Sequence, residues 1–233
     1  LVPTGADGDA FAEAVGQLIA QQTGQTMLTP SIAEAFDRGV AALSSQDDVS
    51  TVGTGTVGEG QNAPAPVVFT ATSAAVRENE VLSEEIFGAA SVLVRYDGID
   101  DLLDTLTGIE GQLTTTIHAT DADTEAAGRL LPVLEDLSGR ILFNGWPTGV
   151  EVGHAMVHGG PFPATSAPGT TSVGSLAIDR FLRPVAYQSV PVGLLPEPIA
   201  DDNPWSVVQM VDGVVTTPDQ AGAVLSGTGA AGS

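Results

Sequence analysis

Residues 91–143 decide the fold, and they read SVLVRYDGIDDLLDTLTGIEGQLTTTIHATDADTEAAGRLLPVLEDLSGRILF. Short runs of apolar and β-branched residues alternate here with longer runs in which apolar residues recur at helical spacing. The pattern predicts strands at 91–96, 113–119 and 141–143 and helices at 99–106 and 124–137. This order is typical of two βαβ units, so we predict an α/β fold with a parallel sheet and right-handed crossovers.

Two amphipathic helices precede this stretch. The first spans 7–22 with Asp7 as its N-cap, and the second starts at 29–31, where Ser31 and Glu34 resemble a capping box. Each helix should bury one apolar face, formed by Phe11, Val15, Leu18 and Ile19 in the first and by Ile32, Phe36, Val40 and Leu43 in the second. We also predict a hairpin or loop at 49–66, a strand at 67–69, a connecting loop at 80–90 and Asp97 as a helix cap.

A long irregular segment follows the last central strand. Residues 139–166 read GRILFNGWPTGVEVGHAMVHGGPFPATS, without helical or strand periodicity after the first few positions. Because such a loop after a core strand is typical of functional segments, we expect a site here. Beyond it we predict an exposed strand at 183–189, an extended proline-rich segment at 191–204, a short strand at 207–211 and a flexible tail.

The charge of the chain excludes several classes of partner. The chain has 29 acidic and 7 basic residues, a net charge of −22, and only arginine among its basic residues. We therefore expect it to bind neither nucleic acid nor an anionic membrane surface. Two explanations of the acidity stay open, namely adaptation to high salt and a soluble acidic protein from a source that uses little lysine.

The residue inventory narrows the chemistry further. There is no cysteine, which excludes disulfides, thiolate metal sites and a cysteine nucleophile within these residues. No apolar run reaches the roughly 18 residues of a membrane span. The start, LVPTGADGD, has neither an initiator Met nor the pattern of a signal peptide, so we expect a cut or processed end and a cytoplasmic protein.

Two local patterns suggest sites, and both have simpler explanations. Residues 53–58 fit Gly-x-Gly-x-x-Gly, but Pro64 and Pro66 follow where a nucleotide-binding motif needs a helix. We therefore interpret residues 53–58 as a glycine-rich turn. His154 and His158 have the spacing of two metal ligands on a helix, but glycines flank them and no third ligand is evident. We interpret both as hydrogen-bonded loop histidines, with a metal site as the less favoured alternative.

Several segments together resemble aldehyde dehydrogenases. Residues 84–88, Glu-Glu-Ile-Phe-Gly, look like the Glu-x-Phe-Gly-Pro motif of that family. The likeness continues through 110–120 (EGQLTTTIHAT), 139–166 and 172–188 (SVGSLAIDRFLRPVAYQ), and it is closest to the α-ketoglutarate semialdehyde (2,5-dioxovalerate) dehydrogenases. The chain departs from the pattern at Ala89, where the family usually has proline, and at Gly153, where this branch often has cysteine.

The resemblance implies oxidation of an aldehyde to an acid with NAD or NADP, through a cysteine thiolate. It implies that Glu85 hydrogen-bonds the ribose hydroxyls of the cofactor and that Phe87 packs beside the nicotinamide. It also implies that Phe162 and Met156 line the aldehyde channel. The alternatives are a hydrogen-bonded loop carboxylate for Glu85, a core aromatic for Phe87 and ordinary apolar loop packing for Phe162 and Met156. No residue of this chain is expected to be a nucleophile or a metal ligand.

The same resemblance assigns parts to the chain. These are a partial aldehyde dehydrogenase catalytic domain at 1–182, an oligomerisation strand at 183–190, a C-terminal extended segment at 191–225 and a flexible tail at 226–233. The family's cysteine, cofactor-binding domain, general-base glutamate and oxyanion-hole asparagine would lie upstream of Leu1. We therefore expect the C-terminal portion of such an enzyme, able to form homo-oligomers through 183–189 and active only with the missing N-terminal portion or chain.

Other classes of function stay open at this point. One is a non-catalytic α/β assembly module or a truncated gene product. Another is an independent enzyme whose chemistry depends on His154 and His158.

Overall fold

The computed structural model describes residues 1–216, in two compact units, one of residues 1–180 and one that begins at Phe181. The strands are β1 (Val2–Pro3), β2 (Ser50–Thr54), β3 (Val67–Thr72), β4 (Ala90–Tyr96), β5 (Thr115–Ile117), β6 (Ile141–Phe143), β7 (Gln209–Val211) and β8 (Val214–Thr216). The α-helices are α1 (Ala6–Ile19), α2 (Pro30–Ser44), α3 (Ser73–Glu78), α4 (Gly98–Thr107) and α5 (Thr124–Leu137). Short 3-10 helices span Glu80–Leu82, Asp121–Asp123, Ser175–Phe181, Val192–Leu194 and Glu197–Ile199. None of the described helices combines the length and hydropathy that a membrane span requires.

The larger sheet of the first unit has the strand order β1-β4-β3-β2. Strand β3 lies parallel to β4 in a continuous register, from Val67 opposite Ala90 to Thr72 opposite Arg95, and β2 pairs antiparallel on the other side of β3. The apolar residues of β3 are almost wholly buried, and Phe69 is only 1% exposed. A continuous apolar run of this kind is what an interior strand requires.

Helix α2 packs with the face predicted from its sequence, whereas α1 does so only in part. Phe36 and Leu43 of α2 are buried in one core cluster with Phe69. In α1, Phe11 and Leu18 are 48% and 61% exposed, so the prediction that they form a buried face is wrong. Val15 and Ile19 of the predicted face are half-buried, and α1 lies against β2 through Gly16 and Ile19.

The helix caps differ from the predicted ones. Helix α1 begins after Gly5, which has a φ of 92°, and Asp7 lies inside the first turn. The N-cap of α2 is Thr29, whose Oγ1 accepts a hydrogen bond from the Ile32 N–H at 3.3 Å. Because Pro30 occupies the first helical position, where no N–H is needed, the cap precedes it and is not Ser31.

The N-terminus of α4 is bonded by a carboxylate within the helix, and the side-chain cap predicted at Asp97 is wrong. The Asp97 side chain makes no capping hydrogen bond. Its backbone N–H donates to Oδ2 of Asp101 at 2.7 Å, and Ser73 Oγ and Arg77 Nη1 donate to the same carboxylate at 2.6 and 2.7 Å. These hydrogen bonds, from Ser73 first, lower the pKa of Asp101 to about 2. Asp101 thus connects the start of α4 to helix α3.

The smaller sheet pairs β5 with β6 in parallel, with Thr115 opposite Ile141 and Ile117 opposite Phe143. Helix α5 connects these strands with the bounds that the sequence predicted, and its Leu134 packs in one core cluster with Leu102 of α4. The second predicted βαβ unit is therefore confirmed, although β5 is shorter than 113–119.

The first predicted βαβ unit is wrong in its pairing. Strands β4 and β5 belong to different sheets, and β4 pairs with β1 and β3 instead. No strand of residues 1–216 lies beside the edge of β5 that faces away from β6.

The second unit contains a hairpin of β7 and β8. Its turn is Asp212-Gly213, with φ values of 51° and 80°, and Asp-Gly is a preferred pair for a turn that needs two positive φ values. Residues 183–189 are exposed and form no ladder with the described residues. The oligomerisation strand expected there would pair with another chain and stays a prediction. The predicted tail at 226–233 and the end of 191–225 lie outside the described residues.

Candidate functional site

A slot of about 1790 Å³ lies in the first unit between the edge of β4 and the edge of β5. Residues of β4 and all of β5 line it, and α4 and α5 contribute apolar side chains such as Leu102, Leu106, Leu130 and Leu134. The 84–88 segment reaches the slot from one end and His158 from another. The slot therefore collects several of the residues that the sequence suggested for function.

Two close contacts hold the loop that carries Glu85 and Phe87. Ile86 packs against the core, and a Cβ added to Gly39 of α2 would lie 2.9 Å from its Cγ1. Gly88 has a φ of 149°, and a Cβ there would lie 2.4 Å from Cδ2 of Phe36. Between these anchors Phe87 is 69% exposed and Glu85 is also exposed, and both line the slot. The structure thus brings together the two residues implied for cofactor binding.

The two residues implied for the aldehyde channel lie elsewhere. Met156 lines a separate cavity of about 480 Å³, together with Arg140 and Glu151. Phe162 is 80% exposed, and its neighbour Pro163 rather than Phe162 lines the slot. Within the first unit these two side chains therefore do not form one wall with Glu85 and Phe87.

The loop around His158 is tied to the start of β5. The His158 backbone N–H donates to Thr171 Oγ1 at 3.1 Å, and its Nδ1 lies 3.5 Å from Thr114 Oγ1. Gly160 has a φ of 136°, and a Cβ there would lie 2.4 Å from the carbonyl oxygen of Gln112. This supports the interpretation of His158 as a hydrogen-bonded loop residue.

The other candidate patterns have a structural explanation. His154 is exposed and lies outside any helix, and residues 1–216 contain no group of three or more metal-ligating side chains. Gly53 lies in β2, Gly55 and Gly58 follow that strand, and no helix lies between them and β3. A Cβ on Gly53 or Gly55 would lie 2.5 Å from Cγ2 of Ile19 or 2.4 Å from the carbonyl oxygen of Gln22. These glycines therefore permit α1 to lie close to the sheet.

Asn144 is a residue with a structural role beside β5 that the sequence reasoning missed. It follows β6 with a φ of 53°, and its amide exchanges two hydrogen bonds of 2.8 Å with the backbone of Ala119. Its own N–H donates to the Ile117 carbonyl at 2.8 Å. The available signal was Asn-Gly directly after a strand, because asparagine tolerates positive φ and bonds locally. Beside it, the rings of His118 and Trp146 lie 5.2 Å apart.

Two titratable groups at the slot, Tyr96 and Asp123, have shifted pKa values. Burial raises the pKa of the Tyr96 phenol, and the nearby Asp123 carboxylate adds to the shift. The backbone N–H and the hydroxyl of Thr120 donate to Asp123 at 2.8 and 2.9 Å, which lowers the pKa of Asp123. At neutral pH this end of the slot therefore holds a neutral phenol and a carboxylate.

Curated relatives share much of this sequence. The chain is 43% identical over 209 residues to alpha-ketoglutaric semialdehyde dehydrogenase 2 of Azospirillum brasilense. The match covers 90% of this chain and 40% of that protein. It is 41% identical over 209 residues to alpha-ketoglutaric semialdehyde dehydrogenase of Acinetobacter baylyi, covering 89% of this chain and 40% of that protein. The chain thus spans about two fifths of the length of these relatives. No protein-family model matches it.

Solved structures of aldehyde dehydrogenases share the fold. A 3,6-anhydro-L-galactose dehydrogenase in complex with NAP matches with a TM-score of 0.60 and 20% identity, over 77% of this chain and 38% of that one. Lactaldehyde dehydrogenase from Escherichia coli matches with a TM-score of 0.61 and 16% identity, over 78% and 38%. The predicted α/β fold of aldehyde dehydrogenase type and the resemblance in sequence to semialdehyde dehydrogenases are confirmed.

Proposed function

We propose that this chain is the C-terminal portion of an NAD(P)-dependent aldehyde dehydrogenase that oxidises a semialdehyde like α-ketoglutaric semialdehyde to a carboxylic acid. The observation that carries the proposal is the 41–43% identity to two such dehydrogenases over 89–90% of the chain. The geometry supports it, because Glu85 and Phe87 are both exposed and line one slot, on a loop anchored at Ile86 and Gly88.

The proposed reaction converts the aldehyde, water and NAD(P)⁺ into the acid, NAD(P)H and a proton. When bound, the dinucleotide supplies the acceptor for the hydride that leaves the aldehyde carbon. The chain contains no cysteine, so the thiolate that forms the covalent bond to the substrate must come from the rest of the enzyme. The proposed partner is therefore the N-terminal portion of an aldehyde dehydrogenase, on the same or on a separate polypeptide.

The residues of this chain have binding roles in the proposal. The Glu85 carboxylate accepts hydrogen bonds from the ribose hydroxyls of the dinucleotide, for which an exposed acceptor on a fixed loop is suited. The exposed ring of Phe87 supplies an apolar surface for the nicotinamide. Phe162 and Met156 contact the aldehyde once the full active site is assembled.

Reconstitution tests the proposal. The chain is mixed with the part of the Azospirillum relative that it does not match, and formation of reduced cofactor is followed with α-ketoglutaric semialdehyde. We expect turnover from the mixture and none from either part alone. A verified complex of the two parts without turnover on this or other semialdehydes would refute the function.

Two neighbouring glutamates provide a matched pair of variants. Glu85→Gln should raise the KM for the cofactor about tenfold, since a hydrogen bond to a charged group contributes about 1.5–3 kcal/mol. Glu84→Gln removes the same charge one residue away and should leave that KM within about threefold. Equal effects of the two substitutions would mean that the local charge, and not a specific contact of Glu85, matters.

A non-catalytic assembly module is the second candidate, favoured by apolar side chains exposed at the start of the second unit. Phe181, Leu182, Val185 and Leu194 are 81%, 63%, 58% and 72% exposed. A homo-oligomer formed through 183–189 would cover such residues. Light scattering of the purified chain, with Val185→Asp as the variant, tests this role, and a stable oligomer without cofactor affinity would favour it. The cytoplasmic location expected from the sequence stays a prediction.

A further inference from the structure

One side of the slot is an open edge of β4. Strand β3 pairs with β4 along Ala90 to Arg95, whereas β1 pairs only with Arg95 and Tyr96. From Ala90 to Val94, the edge of β4 that faces away from β3 therefore has no ladder partner within residues 1–216. Ala90, Val92 and Val94 line the slot on this side.

The other side is an open edge of β5. The Thr115 N–H donates to the Arg140 carbonyl at 2.9 Å and the Ile117 carbonyl accepts from the Asn144 N–H at 2.8 Å, so these two residues face β6. In a parallel ladder, alternate residues direct their backbone groups to opposite sides, which turns the N–H and C=O of Thr116 toward the slot. The Oγ1 of Thr116 is also buried, without a hydrogen-bond partner in the part of the chain that the structure describes.

Apolar side chains of the two helices line the slot between the two edges, among them Leu102 and Leu106 from α4 and Ala127 and Leu130 from α5. An extended polypeptide can satisfy both polar edges through its backbone and the apolar surface through its side chains. Water would satisfy only the edges. Sheet edges of this kind pair readily with a further strand when one is offered.

We propose that the slot receives an apolar β-strand from the part of an aldehyde dehydrogenase that this chain does not span. The strand runs parallel to β4, in line with β1, and joins the two sheets into one. The inference rests on the proposed function, because the occupant is the remainder of the same enzyme. The chain spans 40% of each curated relative, which leaves more than half of the relative to supply the strand. Strands buried in parallel sheets are near-continuous apolar runs, and this is the chemistry expected of the occupant.

Hydrogen exchange locates the contact directly. The probe is the part of the Azospirillum relative that this chain does not match, added to the full 233-residue chain. We expect binding, with slower amide exchange at Ala90, Val92, Val94 and Thr116, because alternate residues of each strand direct their backbone N–H toward the slot. Absence of binding, or binding that leaves these amides unprotected, would overturn the inference.

A proline at the β5 edge separates strand pairing from general surface contact. Thr116→Pro removes the N–H that faces the slot and leaves the hydrogen bonds of Thr115 and Ile117 to β6 in place. It should weaken binding of the probe more than about tenfold, or about 1.4 kcal/mol. Thr116→Ala keeps the N–H and should bind within about threefold of the wild type. Unchanged binding by the proline variant would refute the pairing.

A thiol reporter keeps the test valid if the proline variant fails to fold. Ser91 of β4 is exposed and lines the slot, and the chain contains no other thiol. In the Ser91→Cys variant, the mass of this chain reports alkylation of the new thiol. The rate of alkylation should fall at least about tenfold when the probe binds. Ser166→Cys, at an exposed position that does not line the slot, should react at an unchanged rate. Equal protection or equal reactivity of both thiols would contradict strand insertion.

The outcomes also separate the two proposals. Slot protection without any turnover would refute the dehydrogenase function and support strand insertion. Turnover that Thr116→Pro leaves unchanged, without protection at Ser91→Cys, would support the function and refute the strand.

Discussion

Three helical glycines allow a graded test of the packing. Gly128 of α5, Gly39 of α2 and Gly16 of α1 are each replaced by alanine. A Cβ at Gly128 meets nothing within 4 Å, and at Gly39 it would lie 2.9 Å from Cγ1 of Ile86. At Gly16 it would lie 2.8 Å from the carbonyl oxygen of Val52 in β2. The obstacle therefore changes from nothing, to a side chain, to a strand backbone.

The expected magnitudes follow from two opposing effects. Alanine stabilises a helix interior by about 0.8–1 kcal/mol relative to glycine, and nothing opposes this gain for Gly128→Ala. Overpacking costs about 1–3 kcal/mol. Gly39→Ala should therefore lose about 1 kcal/mol net, because Ile86 can shift only partly. Gly16→Ala should lose about 2 kcal/mol, because the Val52 carbonyl cannot move without the strand.

Urea unfolding of the 233-residue chain, followed by circular dichroism, measures the free energy of unfolding of each variant. Thermal scans should show shifts of about 2–4 °C per kcal/mol in a chain of this size. The expected order of stability is Gly128→Ala, wild type, Gly39→Ala, Gly16→Ala. If Gly16→Ala is as stable as Gly128→Ala, helix α1 does not pack on β2 as the structure has it.

The remaining predictions concern a carboxylate and an asparagine. The folded-state pKa of Asp101 is about 2 against an ordinary value of 3.8, so its stabilising effect is complete above about pH 4 and is lost as the pH falls toward 2. Asp101→Asn should therefore be less stable than the wild type at neutral pH, with a difference that shrinks between pH 4 and 2 in acid titrations. Asp104→Asn, on the same helix, is the control, and an equal pH dependence of both variants would contradict the network. Asn144→Ala should cost about 1–2 kcal/mol in urea unfolding, because it loses two hydrogen bonds and keeps a positive φ. Asn144→Gly relieves the φ strain and should cost less; the reverse order would refute this account.

Periodicity in the sequence predicted a helix well where the apolar face of that helix packs into a single core cluster. Helix α5 has the predicted bounds, and the buried face of α2 includes the predicted Phe36 and Leu43. The same rule did not hold for Phe11 and Leu18, because α1 meets β2 through Gly16 and Ile19, and this leaves Phe11 and Leu18 exposed. Apolar spacing indicates which face could be buried and not which surface is available to cover it.

The site was predictable only through its motif. The likeness of residues 84–88 to a family motif pointed to Glu85 and Phe87, and both line the slot. Met156 and Phe162 were assigned by the same resemblance, but Met156 lines another cavity and Phe162 is exposed, since a long irregular loop can direct neighbouring side chains to different sides. Asn144 lies in the segment 139–166 that resembles the family, but the resemblance gave it no role, and its hydrogen bonds to the backbone of Ala119 reveal one.

The sequence by itself determined the α/β class, the order of the elements, the absence of a thiol and the resemblance to semialdehyde dehydrogenases, because these depend on local pattern and residue identity. The tertiary structure decided that β4 and β5 do not pair and that a slot separates them. Pairing of strands depends on which edges meet in space, and no local pattern encodes that. The stretch at 91–143 therefore predicted its helices and strands, while the gap between two of those strands, where we place the partner, became visible only in three dimensions.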